Sequence, residues 1–253
     1  MKTLEMSLVI ARKELQSLFF SPLAWTVLAI VQFILAWIFL VQLDAFAETQ
    51  SQYAMYQRTP PGVGDLIVAP LLSTASFVML MVVPLLTMRL IAEEKRSGTI
   101  ALLRSAPVST TGIVLGKFIA LLVFLALLVL LLGAMPLSLL AGADLDLGRL
   151  AAGMLGLFLV AAAFASAGLF MSTLTRQPVV AAISTFGLLL LLWLINAAGG
   201  ETDTLTSWLS LLEHYQAMLR GVFATGDLVY YLVVITVFLA FSVRRLDAER
   251  LQR

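Results

Sequence analysis

The sequence contains no cysteine and a single histidine, His214, in its 253 residues. These shortages exclude disulfide bonds, thiolate metal sites and any metal centre built from several imidazoles. They also leave no Cys/His or Ser/His/Asp set from which a nucleophilic catalyst could be assembled. We therefore interpret His214 as a polar anchor rather than as a catalytic base.

Charged residues are also scarce, at 12% of the chain, and the net charge is only +1. This is about half the charged share of an ordinary globular domain. Hydrophobic residues make up 61% of the chain, and its mean hydropathy is +1.01. So much apolar surface exceeds what a soluble core can bury, which indicates an integral membrane protein. The near-neutral charge points to no nucleic-acid partner.

Six apolar runs approach or exceed the length of about 20 residues that a membrane-spanning helix needs. The last run is the shortest, and Arg244 and Arg245 can lengthen it by snorkelling to the interface. The fourth is rich in Gly, Ala and Ser, which favours close packing inside a bundle or against another subunit. The predicted spans are 23–43, 66–88, 113–141, 150–175, 178–198 and 227–243.

Residues 1–22 are predicted to form an amphipathic helix that lies in the membrane interface. A helical extension of the first span is the alternative. Pro22 predicts a bend between this helix and the first span, because proline disfavours helix in the residue before it. The apolar positions recur at helical spacing: Leu4, Leu8, Ala11, Leu15 and Leu18.

The polar residues 44–65, which contain Pro60-Pro61-Gly62, are predicted to be an exposed loop. Ala45-Phe46-Ala47 resembles a signal-peptide cleavage site, but the apolar run before it is far longer than an h-region of about 7–15 residues. We therefore expect an uncleaved anchor. Residues 199–226 are too apolar for a free loop and too charged to span, so short extracytoplasmic or re-entrant helices are expected there.

Lys and Arg are distributed unevenly between the two ends of the six predicted spans. Thirteen of the sixteen fall on the side of the two termini, and only Arg58, Arg149 and Arg220 fall on the other. Because cytoplasmic loops carry the excess of positive charge, both termini and residues 89–112 are predicted to be cytoplasmic.

The first five spans contain no ionisable residue once Lys117 is assigned to the cytoplasmic segment before the third span. Ion-coupled transporters commonly place ionisable ligands inside their spans. Their absence argues against proton or sodium coupling, so any transport would draw its energy from elsewhere. The sequence also lacks the pattern GxxxxGK[ST], so we do not expect this chain to bind ATP through a P-loop.

The segment 89–117 mixes apolar and charged residues at helical spacing. Arg89 and Glu93 are four residues apart and can pair on one helical face. Gly98 can end a helix or admit a close partner, and a hydroxyl residue at 109–111 can cap the third span. The segment is either a solvated connector or a surface on which a partner docks.

The run RLIAEEKRSGTIALLRSAPVS at 89–109, followed by IVLGKF at 113–118, resembles the signature of ABC-2-type transporter permeases. Within that family it is most similar to the gliding-motility-type permease subunits and to the permeases of nitrous-oxide-reductase maturation. The resemblance covers nearly the whole chain. Its other parts are a connecting helix containing ARKEL at 11–15, the end of an extracytoplasmic helical loop at 214–221 and 230–232, and a tail at 244–246.

The resemblance implies an all-α integral membrane protein of the ABC-2, or type V exporter, kind, formed as one domain over residues 1–253. It would have six transmembrane helices, the N-terminal interfacial helix, a cytoplasmic coupling helix within 89–112 and short extracytoplasmic helices before the last span. Its location would be the inner membrane of a bacterium. The loop after the first span is short, so recognition outside the membrane would use small loops or another chain.

The resemblance also implies partners. A dimer of separate ABC ATPase subunits would bind ATP and Mg²⁺ and receive the coupling helix in a groove. A second permease copy, identical or paralogous, would complete the unit among membrane lipids, and an extracytoplasmic accessory protein would join it in some systems. The implied ATPase-coupling residues are Glu93, Glu94, Lys95, Arg96, Ser97, Gly98, Thr99, Leu102 and Leu103, and the implied connecting-helix residues are Arg12, Lys13 and Glu14.

Two functions are compatible with these features. The first is a permease subunit that couples ATP hydrolysis by its partner to export or to conformational signalling. The alternative is a non-transporting membrane scaffold or assembly factor that recruits partner proteins. Under the first, replacing Glu94 or Gly98 is predicted to reduce stimulation of the ATPase without reducing membrane insertion. The residues within the spans do not identify a substrate.

Overall fold

The computed structural model describes residues 2–55, 62–99, 109–142, 145–198, 210–222 and 224–251. Within these ranges the chain consists of helices and turns, and they contain no β-strand. The all-α prediction is thereby confirmed. Residues 56–61 of the predicted loop, residues 100–108 of the predicted coupling segment and residues 199–209 of the predicted extracytoplasmic helices lie outside the described ranges.

Within the described ranges the chain forms nine α-helices and two shorter helical turns. A π-helical turn, Gly64–Val68, leads directly into the third helix, and a 3₁₀ turn, Ser138–Ala141, extends the fifth. The helices are α1 (Lys2–Phe20), α2 (Pro22–Met55), α3 (Ala69–Thr87), α4 (Ala92–Ser97), α5 (Thr110–Leu137), α6 (Leu147–Leu174), α7 (Pro178–Ala198), α8 (Leu211–Leu219) and α9 (Thr225–Leu251).

Five of these helical stretches are long and apolar enough to cross a membrane, and α7 supplies a shorter apolar stretch, Pro178–Leu194. At about 1.5 Å per residue, the 21 residues of α7 still extend about 32 Å, which matches the thickness of a bilayer core. The protein is therefore a multi-pass membrane protein. The five long stretches are Pro22–Gln50, Gly64–Ser97, Thr110–Ala141, Leu147–Leu174 and Thr225–Arg250.

The second helix extends further than the sequence pattern predicts. The expected exposed loop at 44–65 is wrong for residues 44–55, because α2 continues without interruption to Met55. The helix has no glycine or proline after Pro22, so the charges of Asp44 and Glu48 end the apolar run but not the helix. Its 34 residues extend about 51 Å, well beyond the bilayer core.

The predicted bend at Pro22 is present. Helix α1 ends at Phe20 and α2 begins at Pro22, and the Ser21 hydroxyl accepts a hydrogen bond from the Leu23 amide at 3.3 Å. Helix α1 turns back along α5, with Ser7 and Ala11 buried against it. The approach is close because residue 116 is glycine: a Cβ there would lie 2.8 Å from the Ser7 carbonyl oxygen.

Helix α6 lies at the centre of the bundle. It packs against α3, α5, α7, α8 and α9, and 72% of its apolar stretch is buried, against 22% for α2 and 17% for α9. The small residues of α6 permit this packing, because Gly153 and Gly156 leave no room for a Cβ beside Leu72 of α3 and Tyr215 of α8. The sequence prediction of an interior fourth span is confirmed.

The bundle has two distinct ends. One, which we call the terminal face, contains α1, α4, the turn between α6 and α7, and the last turns of α9. The other, the opposite face, contains the turn Gly64–Val68, the α5–α6 connection and α8. Helix α4, which belongs to the charged segment 89–117, therefore lies near α1 and the last turns of α9.

Candidate functional site

The candidate site is built around α4, a helix of six residues on the terminal face. No side chain of the preceding residues caps its first turn, and Ile91 precedes it. The cap comes instead from Ser172 in the last turn of α6: its hydroxyl oxygen accepts hydrogen bonds from the amides of Ile91 at 3.1 Å and Ala92 at 3.0 Å. The same hydroxyl group lies 3.2 Å from the Met88 carbonyl oxygen, to which it donates.

The other end of α4 is formed by Gly98. Its backbone has φ +76°, in the left-handed region that favours glycine. The hydroxyl groups of Ser97 and Thr99 lie 2.8 Å apart beside it. The prediction that Gly98 ends a helix is confirmed.

On one side of α4, Glu94 joins a buried ion cluster. The Lys117 amino group lies 2.7 Å from a carboxylate oxygen of Glu94 and 2.9 Å from one of Glu14. Only 1% of the Lys117 side chain is exposed, so its charge depends on these carboxylates for compensation. This Lys117 cluster joins α1, α4 and α5.

The next residue of α4, Lys95, joins a second cluster. Its amino group lies 2.6 Å from a carboxylate oxygen of Glu249 in α9, and it donates a hydrogen bond to the Thr173 carbonyl group in α6. Only 6% of the Lys95 side chain is exposed. Arg245 approaches the same Glu249 oxygen at 3.6 Å. This Lys95 cluster joins α4 to α6 and α9.

The two clusters separate the predicted coupling residues into two groups. Glu94 and Lys95 are directed into the protein, and the side chain of Glu93 is exposed and 3.9 Å from Arg89. The predicted Arg89–Glu93 pair is confirmed. Leu102 and Leu103 lie outside the described residues, and the coupling residues exposed on α4 and its cap are Glu93, Arg96, Ser97, Gly98 and Thr99.

The predicted connecting-helix residues divide in the same way. Arg12 and Lys13 are exposed on α1, whereas Glu14 is directed inward to the Lys117 cluster. Helix α1 is therefore attached to α4 through Lys117, and its two cations, Arg12 and Lys13, remain exposed. The predicted apolar side of α1 is also divided, since Ala11 is buried and Leu8 is 60% exposed.

Three residues of the site were not predicted from the sequence: Lys117, Ser172 and Glu249. The sequence does contain an indication for Lys117, because it is the single charged residue at the start of a long apolar run. Ser172 and Glu249 had none, since a serine in a span and a glutamate in a charged tail are ordinary. Their partners lie 81 and 154 residues away in the chain, beyond the reach of a local pattern.

At the opposite face, α8 is anchored to the bundle by polar contacts. His214 Nδ1 lies 2.7 Å from Asp227 Oδ1, and its ring stacks on Tyr230 with centroids 4.1 Å apart. The buried Tyr215 hydroxyl donates to the Leu72 carbonyl at 3.0 Å. Burial, and secondarily Tyr231, raises the pKa of Tyr215 well above its usual value, which keeps it a donor. His214 thus holds α8 against α9.

Arg149 makes a second connection at the opposite face. Its guanidinium lies 2.7 Å from the Asp65 carboxylate and donates to the Leu219 carbonyl oxygen at 2.9 Å. It therefore links the start of α6 with the turn before α3 and the end of α8. Within the described ranges, no three His, Asp or Glu side chains are grouped in a way that could hold a metal ion.

The fold and the site together define a class of protein. It is a helical, multi-pass membrane subunit that has a charged segment, attached by ion pairs, on its terminal face. Residues 8–251 match the family described as ABC-2 family transporter protein, and the chain belongs to that family. A search of curated proteins finds no match. The chain is therefore a membrane-spanning permease subunit of an ABC transporter, which confirms the family resemblance. The similarity to the gliding-motility-type group stays a prediction.

Proposed function

We propose that this chain couples ATP hydrolysis by a separate ATPase subunit to a conformational change across the membrane, for export or for signalling. The observation that supports the proposal is the way in which α4 is attached to the neighbouring helices. Two buried ion clusters, around Lys117 and Lys95, attach it to neighbouring helices, while Glu93, Ser97 and Thr99 remain exposed for a partner. A six-residue helix is marginal by itself, so these attachments make it able to transmit force.

The attachments define two routes for that force. A push on α4 would pass through Glu94 and Lys117 to α1 and α5, and through Lys95 and Glu249 to α9. Separating a buried lysine from its carboxylates would leave its charge uncompensated, so α4 would move together with its neighbours rather than past them. Because α6 also caps α4 through Ser172, the centre of the bundle receives the same displacement.

In this proposal the terminal face is cytoplasmic. Thirteen of the sixteen Lys and Arg residues lie on the side of the termini, which the positive-inside rule assigns to the cytoplasm. The host membrane would be a bacterial inner membrane. ATP and Mg²⁺ would bind to the ATPase dimer, and two permease copies, identical or paralogous, would form the membrane unit. An extracytoplasmic accessory protein would add recognition outside the membrane.

The test is purification of the tagged chain in mild detergent, with identification of co-purifying proteins and an ATPase assay. We expect a stoichiometric P-loop ATPase and an activity that depends on the permease. Ser97→Trp, which puts a bulky side chain on the exposed surface of α4, should lower the stimulated activity at least tenfold. The matched variant Gln50→Trp adds the same side chain to exposed α2 and should leave activity unchanged.

Two results would contradict the proposal. One is recovery of the chain with no ATPase from fresh extracts, which would favour the scaffold function. The other is full stimulation by the Ser97→Trp protein at parental levels of insertion, which would mean that the ATPase does not dock on α4.

A further inference from the structure

An open cleft of about 460 Å³ lies beside α4 on the terminal face. One wall is the basic end of α4, and the other is the turn between α6 and α7 with the first residues of α7. The lining residues are Lys95, Arg96, Arg176, Gln177, Pro178 and Val179.

The cleft is strongly positive. Its lining includes three cations and no carboxylate. Lys95 is neutralised by Glu249, but Arg96 and Arg176 are exposed and form no ion pair with any residue in the described part of the chain. Two guanidinium groups on opposite walls of a cleft are suited to a phosphate, whose oxygens accept paired hydrogen bonds from arginine.

An apolar surface continues from the cleft along α7. Val179 and Ile183, one helical turn apart, are each 66% exposed, and Val180 is 46% exposed. The apolar stretch of α7 starts at Pro178, so the cleft lies at the depth where the membrane interior begins. An anionic group above an apolar strip is the arrangement of a phospholipid. A carboxylate from a protein partner would account for the arginines but not for the strip.

We propose that this cleft binds the phosphate of an anionic phospholipid, whose acyl chains lie along the exposed side of α7. Basic pockets between helices at the cytoplasmic side are known to favour such headgroups, and the anionic cytoplasmic leaflet supplies them. Because Arg96 belongs to α4 and Arg176 to the α6–α7 turn, one bound lipid connects the two. The site requires only this chain and a lipid, so it can be tested without an ATPase, and its cytoplasmic location rests on the proposed function.

The experiment uses the purified full chain in detergent without an ATPase. Native mass spectrometry is recorded while phosphatidylglycerol or phosphatidylethanolamine is titrated in. We expect tighter binding of phosphatidylglycerol. Each of Arg96→Gln and Arg176→Gln should weaken it roughly fivefold, and the double variant roughly 30-fold. The matched double variant Arg12→Gln with Arg244→Gln removes two exposed arginines elsewhere on the terminal face and should weaken it less than twofold.

Each other outcome overturns the proposal. Equal binding of the two lipids, or equal weakening in both double variants, would mean that general surface charge attracts the lipid. Displacement of phosphatidylglycerol by equimolar inorganic phosphate would make the cleft a free-anion site. Parental lipid binding by the Arg96→Gln and Arg176→Gln double variant would mean that the lipid binds elsewhere on the chain. The substituted arginines are exposed, so unchanged thermal unfolding will confirm that the variants remain folded.

Discussion

At the scale of the residue, Lys117 is the most constrained charge that the structure describes. It is a fully buried cation held between Glu14 and Glu94, which belong to different helices. Two carboxylates can share this volume because the ammonium group lies between them, and without it they would repel each other in a poorly solvated place. Removal of the ammonium group would therefore destabilise the fold as well as disconnect its parts.

Replacing Lys117 with methionine keeps the side-chain volume and removes the charge. We expect a loss of about 3–5 kcal/mol in the free energy of unfolding, seen as a lower midpoint in thermal unfolding followed by the fluorescence of the four tryptophans. Lys13→Met, at an exposed position of the same terminal face, should change it by less than about 0.5 kcal/mol. Equal midpoints for the two variants would show that the cluster adds no stability.

Gly98 provides a residue-scale test of the shape of α4. Its φ of +76° is strained for residues with a branched side chain, and there is open space around it. Gly98→Val should therefore distort the end of α4 and reduce ATPase stimulation several-fold, at a cost of about 1–2 kcal/mol or less in stability. Gly98→Asn, which tolerates this conformation, should retain most of the stimulation. Equal activity of both variants would exclude a role for the left-handed turn.

At the scale of the element, α4 is stabilised by its surroundings rather than by its own sequence. Its first turn is capped by a serine from α6, its two flanking clusters reach four other helices, and only its last turn is capped locally. A short helix of this kind can be positioned by several neighbours at once, so its orientation depends on the positions of all the helices that it contacts on the terminal face.

Ser172→Ala should loosen α4 in particular. The Ile91 and Ala92 amides are fully buried and would lose their acceptor, at a cost of about 1–3 kcal/mol for each amide. We expect faster hydrogen exchange in α4 and a lower unfolding midpoint. Ser184→Ala is the control, because that hydroxyl group bonds only to carbonyls of its own helix. Unchanged exchange in α4 would show that the Ser172 cap is dispensable.

Much of the element structure could be predicted from the sequence, and the reasons are physical. Hydropathy located the spans because lipid burial selects apolar residues, and Pro22 and Gly98 marked boundaries through backbone restrictions. Hydropathy could not show that α2 continues to Met55, since charge ends lipid burial without ending a helix. The ion pairs of Lys117 and Lys95 were also out of reach, because they join residues from 23 to 154 positions apart.

At the scale of the whole molecule, the two faces differ in charge and in the elements they expose. Among the described residues, the terminal face has most of the exposed cations and α4, whereas the opposite face has α8 and lies at the end from which α2 projects. A functional membrane subunit needs a fixed orientation, and the charge asymmetry supplies it.

The lack of cysteine makes that orientation directly measurable, since single introduced thiols have no background. Ser97→Cys and Arg12→Cys, on the terminal face, should react with a membrane-impermeant maleimide only in inside-out vesicles. Glu48→Cys, on the projecting part of α2, should react only in right-side-out vesicles. Ala75→Cys, buried in α3, should react in neither. Labelling of positions 48 and 97 from the same side would reject the six-span topology.

The arrangement of the two clusters also bears on how the protein is made. Glu14, Glu94 and Lys117 are all available once α5 has been synthesised, whereas Glu249 follows Lys95 by 154 residues. As chains grow from the N-terminus, the Lys117 cluster can form early, whereas the Lys95 cluster forms only when α9 is nearly complete. In the proposed assembly, an ATPase would therefore meet a fully attached α4 only after residue 249 has been synthesised.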